Sequence, residues 1–192
     1  MTDYDAVLSP TPREQLRDLI RDLAVVHGKV TLASGKEADY YVDLRRVTLH
    51  HKAAPLIGRV MLRLLEENGI EFDAVGGLTM GADPVATAMM HQAGATGRAL
   101  DAFVVRKAQK SYGMGRQVEG PGVDGRRVVV LEDTSTTGGS ALTAVEGVRN
   151  AGGDVQAVAV IVDRATGAAE RVAEEADVPY LYAFGKDELG LD

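Results

Sequence analysis

The chain has 192 residues, 45% of them hydrophobic, which allows one sizeable core and leaves too little for two full domains. A net charge of −7 argues against a nucleic-acid or anionic-membrane surface, although a local basic site stays open inside an acidic shell. The absence of cysteine excludes disulfides, thiolate metal sites and cysteine nucleophiles; the acidic start Met1-Thr2-Asp3-Tyr4-Asp5 precedes no apolar segment and no run is long enough to span a bilayer, so the cytoplasm is expected.

Thr11-Pro12-Arg13-Glu14 reads as N-cap, N1 proline and N3 glutamate, and Leu16, Leu19, Ile20 and Leu23 follow on one face, predicting a helix to about His27. Two short extended pieces, Val30 to Ala33 and Tyr40 to Leu44, are expected around Ser34-Gly35-Lys36-Glu37-Ala38-Asp39. Helix and hairpin would form a small hood over about residues 1–50, ahead of a core over about 51–192 in the same single domain. Lys52 to Asn68 predicts a helix presenting Leu56, Val60 and Leu64, with Gly69 as its stop. A regular alternation follows: strand 74–76, helix 83–92, strands 102–105 and 127–131, helix 140–151, then strands 155–162 and 180–184. Strands separated by helices imply an α/β fold, a mainly parallel central sheet flanked by helices on both faces. Ligands of such sheets lie beyond the C-terminal strand ends. Four marked segments fall there: Gly76-Gly77-Leu78-Thr79, Arg106-Lys107, Glu132-Asp133 and Asp163-Arg164.

Arg106, Lys107, Lys110 and Arg116 form a basic stretch without an acidic residue between them, in a chain that is acidic overall. Gly113, Gly115 and Gly120-Pro121-Gly122 disfavour regular structure, so about 106–120 reads as a loop between strands. It is either a lid that neutralises an anion or a solvated basic loop.

The densest signal is Val128-Val-Val-Leu131-Glu132-Asp133-Thr134-Ser135-Thr136-Thr137-Gly138-Gly139-Ser140. An apolar strand ends on two acids, and a hydroxyl- and glycine-rich turn then opens a helix with Leu142, Val145 and Val148 at helical spacing. Unpaired N–H groups and the positive dipole end of that helix favour a phosphate, the glycines allow close backbone approach, and the hydroxyls of Thr134, Ser135, Thr136, Thr137 and Ser140 are short donors. Glu132 and Asp133 would repel phosphate but accept hydrogen bonds from vicinal sugar hydroxyls. An ordinary capped βα turn is the plainer reading, but capping requires one hydroxyl and no acid pair. A Walker A loop is excluded, because no Gly-Lys pair precedes Ser or Thr. Together these groups specify a phosphorylated ribose.

Arg164 ends the apolar stretch Val155 to Val162, where a guanidinium suits a planar carboxylate or an ordinary surface ion pair. Tyr40 and Tyr41 are either strand-core aromatics or the walls of a stacked base. No histidine has partners at metal-ligand spacing.

The acid-and-hydroxyl loop resembles the phosphoribosyl-pyrophosphate motif of the type I phosphoribosyltransferases. Ser34-Gly35-Lys36, Tyr40-Tyr41, Arg106-Lys107-Ala-Gln-Lys110 and Val162-Asp163-Arg164 extend the resemblance over nearly the whole chain, towards the orotate-using branch. It implies the type I phosphoribosyltransferase fold with an N-terminal hood, and transfer of ribosyl 5-phosphate from phosphoribosyl pyrophosphate to orotate with Mg2+ held mainly by substrate. In that scheme Glu132 and Asp133 hold ribose hydroxyls and Thr134, Ser135, Thr136, Thr137, Gly138, Gly139 and Ser140 hold the 5-phosphate, with Thr136 also matching an orotate contact. Arg106, Lys107 and Lys110 match residues that bind pyrophosphate, Tyr112 stands where many members have histidine, and Arg164 matches the orotate-carboxylate residue. Ala33 and Met80 occupy places where some branches carry lysine. The resemblance further implies a homodimer whose basic loop reaches the neighbouring site, and no nucleic-acid or membrane partner.

Overall fold

The structure, a computed structural model, describes residues 10–31, 37–107 and 117–191. Helix α1 (Pro12–Leu23) begins with the predicted capping box: Thr11 N–H and hydroxyl donate to the Glu14 carboxylate, and Glu14 N–H donates to Thr11 Oγ1 at 3.3 Å. It ends sooner than expected, because the β-branched pair Val25-Val26 opens strand β1 (Val25–Thr31), antiparallel to β2 (Glu37–Val42). A short helix, α2 (Arg45–Thr48), leads to α3 (Ala53–Glu67). The inward stripe of α3 is Ile57, Met61 and Leu65, with Val60 beside it, whereas the expected Leu56 and Leu64 are only partly buried. Apolar residues run around much of this helix, and its packing against both α1 and the helix that follows selects the face.

The core continues through β3 (Ala74–Leu78), α4 (Ala82–Ala95), β4 (Asp101–Val105), β5 (Val118–Glu119), β6 (Arg127–Ser135), α5 (Gly139–Asn150), β7 (Asp154–Asp163), α6 (Ala168–Ala176) and β8 (Tyr180–Gly185), then a 3-10 turn at Asp187–Leu189. The sheet order is β5-β4-β3-β6-β7-β8, parallel apart from the edge strand β5. Three features go beyond the sequence expectation: β6 runs past Leu131, α6 is present, and β5 shortens the basic loop to end near Gln117.

Each face of the sheet carries its own apolar layer. Val129, Leu131, Ala157, Ala159 and Ile161 face α1, α3 and α4, and Val128, Val130, Val158 and Val160 face α5 and α6. All nine are at most 1% exposed, and burial of each valine, leucine or isoleucine contributes about 1.5–3 kcal/mol. From β3 the chain steps outward to β4 and then returns to the far side of β3 to lay down β6. That reversal opens a crevice above β3 and β6, the usual ligand position in such sheets.

Candidate active site

Glu132 and Asp133 lie within β6 rather than beyond it, since pairing with β7 continues through Glu132 with Val160, Thr134 with Val162 and Ser135 with Asp163. Hydropathy falls after Leu131, but ladder hydrogen bonds are made by the backbone and persist under polar side chains. Strand alternation then sends the two carboxylates to opposite faces. Glu132 takes the α5 side, where Ser140 hydrogen-bonds to it. Asp133 takes the α4 side, so close to Gly81 that a Cβ there would sit 2.7 Å from Asp133 Oδ1. The acid pair thus straddles the strand end.

Burial raises the pKa of Glu132 to about 7, with the Ser140 hydrogen bond opposing the rise and the Asp133 charge adding to it. Burial likewise raises Asp133, opposed by the Thr134 N–H that donates to its Oδ1 at 2.7 Å. Across the crevice, Asp43 accepts from Arg45 Nε at 2.9 Å and holds that guanidinium above its ordinary pKa. Asp43 and Arg45 in turn act electrostatically on Asp133.

The turn after Ser135 places Gly138 in the left-handed region at φ +72° as the residue before α5, and its carbonyl receives Leu142 N–H at 2.9 Å. Ser135 and Gly138 are buried, Gly139 is half-buried, and Thr136, Thr137 and Ser140 are exposed; Thr134 Oγ1 is buried without a hydrogen-bond partner among the described residues. Helix α6 braces this turn from behind. Thr166 hydroxyl donates to Thr136 O, Arg171 Nη1 donates to Thr137 O at 3.2 Å, and Val172 Cγ2 would lie 3.2 Å from a Cβ on Gly138. Helix geometry leaves the first backbone N–H groups of α5 without intrahelical partners, an arrangement that suits an anion.

On the neighbouring strand ends, Thr79 Oγ1 donates to Asp83 Oδ2 at 2.8 Å, the Thr79–Met80 peptide is cis, and Met80 is 62% exposed. The basic loop is pinched at its base, where Arg106 N–H donates to Gln117 O at 2.9 Å and Gln117 Nε2 donates to Arg106 O at 3.2 Å. Arg106 Nη1 lies 3.8 Å from Glu119 on β5, a counterion the sequence alone did not assign, and Lys107 is exposed. Lys110 and Tyr112, like Ala33 and Ser34-Gly35-Lys36, lie outside the described residues.

Arg164 follows β7 and is half-buried, its N–H donating to Ser135 O at 3.2 Å and its guanidinium 5.9 Å from the centre of the Tyr40 ring. Tyr40 packs on the hood-side core, whereas Tyr41 is 38% exposed on the opposite face of the ribbon. Asp163, also buried, accepts from Tyr180 hydroxyl at 3.1 Å. Arg164 therefore meets one tyrosine of the pair, and the acid pair meets the glycine-hydroxyl turn. Sequence reasoning missed Gly81, Asp43, Arg45 and Arg171; only Asp43-Leu-Arg45, charged and directly after a strand, carried a visible signal.

A parallel sheet with its switch point over an acid pair, beside a glycine-hydroxyl turn that opens a helix, defines an α/β protein built to bind a phosphorylated sugar. Residues 45–181 match the phosphoribosyl transferase domain model. The chain belongs to the phosphoribosyltransferase family, within its orotate phosphoribosyltransferase branch. It is 69% identical to the orotate phosphoribosyltransferase of Streptomyces coelicolor over 180 residues, covering 94% of this chain and 98% of that one. It is 60% identical to that of Mycobacterium avium over 178 residues, covering 93% and 96%. The structure superimposes on Mycobacterium tuberculosis orotate phosphoribosyltransferase in complex with 5-phospho-alpha-D-ribosyl 1-diphosphate with a TM-score of 0.81 at 53% identity, covering 94% of this chain and 99% of that one. Trypanosoma brucei adenine phosphoribosyl transferase shares the fold, with a TM-score of 0.67 at 14% identity, 94% coverage of this chain and 82% of that one.

Proposed function

We propose that the chain transfers the ribosyl 5-phosphate group of phosphoribosyl pyrophosphate to N1 of orotate, releasing pyrophosphate and forming orotidine 5′-monophosphate for UMP synthesis. The observation that carries this reading is the placement of Glu132 and Asp133 astride the end of β6, directly before the Thr134 to Ser140 turn at the sheet's switch point. The 69% identity to an orotate phosphoribosyltransferase over 94% of the chain selects the base.

No covalent nucleophile is required. As the anomeric C–O bond lengthens, positive charge grows on the ribose and negative charge on the leaving pyrophosphate, so catalysis consists of positioning, charge neutralisation and water exclusion. Glu132 and Asp133 accept from the ribose hydroxyls, and the hydroxyls and N–H groups of 134–140 fix the 5-phosphate. Arg106, Lys107, Lys110 and Tyr112 serve the pyrophosphate. Arg164 clamps the orotate carboxylate in bidentate fashion, with Tyr40 bordering the base and Tyr41 on the opposite face of the ribbon.

The crevice offers hard oxygen donors, the carboxylates of Glu132 and Asp133 and the hydroxyls beside them, and among the described residues no three His, Cys, Asp or Glu side chains form a metal-holding group. That donor set fits a magnesium ion carried in by substrate oxygens, with Asp133 and Glu132 the nearest protein groups. When bound, Mg2+ offsets the charge of the departing pyrophosphate. Exposed apolar side chains at Leu49 and Met80 suit a second copy of the chain in a homodimer. Among the described residues no helix is long and apolar enough to cross a membrane.

Comparing orotate, adenine, guanine and xanthine in one pyrophosphate-release assay, with and without Mg2+, tests the reading. Orotate-dependent release that requires Mg2+ is expected. Release with a purine instead would make the chain a purine phosphoribosyltransferase, and saturable binding of phosphoribosyl pyrophosphate without product would make it a sensor.

A further inference from the structure

We propose that the turn spanning Lys186 to Leu191 is a positioning element of the orotate site, acting through the hydroxyl of Tyr40; this rests on the orotate reading above. The turn is closed by its own backbone: Leu189 N–H and Leu191 N–H both donate to Lys186 O, at 3.0 and 3.1 Å, and Gly190 N–H donates to Asp187 O at 3.2 Å. Gly190 sits in the left-handed region at φ +69°, which a side chain there would oppose. Leu189 and Leu191, 3% and 2% exposed, plug the turn into the hood-side core. Arg13 of α1 holds the approach, donating to Ala183 O at 2.7 Å, pairing with Glu188 at 2.7 Å and lying 4.6 Å from the centre of the Phe184 ring.

This closure brings the Leu191 carbonyl to 3.2 Å from Tyr40 hydroxyl, which donates to it. Tyr40 needs such an anchor. Its strand belongs to a two-stranded ribbon that pairs with no other described strand, and a lone two-stranded ribbon is marginal in water. The anchored ring is the surface over which the Arg164 guanidinium lies. On its other side the turn continues β8, where Gly185 pairs with Asp163, the residue before Arg164. One short turn thereby fixes both sides of the base pocket: Tyr40 through a side-chain hydrogen bond and Arg164 through the strand beside it.

Steady-state kinetics with each substrate varied in turn, on wild type, Tyr40→Phe, Gly190→Val and the double variant, test the proposal. Tyr40→Phe keeps the ring and removes only the donor. Gly190→Val forces a β-branched residue into a left-handed position and opens the turn. Each single change should raise the orotate KM by about fivefold, the loss of one neutral hydrogen bond. The phosphoribosyl pyrophosphate KM should move far less, and the double variant should be no worse than the weaker-binding single. A Tyr40→Phe enzyme with an unchanged orotate KM overturns the proposal, as do single effects that multiply in the double variant. Gly190→Val raising both KM values alike would show a merely structural turn and overturn it too. A wild-type chain that neither binds nor consumes orotate refutes the functional reading before any variant is compared, so the two failures are distinct.

Discussion

Replacing Glu132 with glutamine should stabilise the protein at alkaline pH while impairing it as an enzyme. Burial raises the Glu132 pKa from 4.5 to about 7, and at about 1.4 kcal/mol per pKa unit keeping this carboxylate ionised costs the fold about 3 kcal/mol. Between those two values the folded chain holds a proton that the unfolded chain has lost, so stability is fully present below 4.5, declines as pH rises, and has lost this contribution above about 7. Glutamine has no charge to desolvate. Thermal melts of wild type and Glu132→Gln at pH 5 and pH 8 should therefore diverge at pH 8 by roughly 6–12 °C in favour of the variant and nearly converge at pH 5. If ribose hydroxyls donate to the ionised carboxylate, as the proposed function has it, wild type should release protons on binding phosphoribosyl pyrophosphate near pH 6.5, seen by calorimetry as a heat that varies with the buffer's ionisation enthalpy. A variant no more stable at pH 8 than wild type, or with the same offset at both pH values, would refute the reasoning.

Gly81→Ala places a methyl 2.7 Å from Asp133 Oδ1; displacing that carboxylate should lower kcat/KM for phosphoribosyl pyrophosphate by about 10- to 100-fold, measured beside a nearly unchanged melting temperature. Gly138→Ala, at φ +72° with Val172 3.2 Å from the new Cβ, should cost about 1–2 kcal/mol in urea unfolding and raise the phosphoribosyl pyrophosphate KM more than the orotate KM. At Tyr112, which carries no positive charge at neutral pH, alanine should reduce kcat more than substrate affinity, and histidine should be neutral or faster. Histidine slower than tyrosine by about an order of magnitude in steady-state assays would reject that role.

Much of the scaffold was legible because Val128 to Leu131 of β6 and nearly all of Val155 to Val162 of β7 are Val, Ala, Ile or Leu, and the first helix carries a complete capping signal at Thr11 to Glu14. The position of the Thr134 to Ser140 turn, between a strand and a helix start, was legible for a different reason: an apolar run ending on paired acids and followed by clustered hydroxyls and two glycines marks a strand-to-helix junction. Helix α6 escaped notice because its buried stripe is Ala168, Val172 and Ala176, small residues that give a faint periodic signal in an otherwise charged segment. The extent of β6 was hidden because periodicity reports side-chain burial, and Glu132, Thr134 and Ser135 stay in the ladder under polar side chains. Hardest to foresee were contacts between residues distant in sequence, such as Tyr40 with Leu191 and Arg171 with Thr137, which exist only once the sheet has gathered the chain.

The division of the core into two layers has a consequence for how damage spreads. Helices α5 and α6, which flank the Thr134 to Ser140 turn, rest on one layer; the ribbon with Tyr40 and the turn that anchors it rest on the other, and β6 is the partition between them. A cavity opened at Val172 should weaken the grip on the sugar's tail, and one at Leu191 the grip on the heterocycle. Lesions remote from the crevice would thus sort by the substrate they handicap, leaving only those in the central partition to injure both.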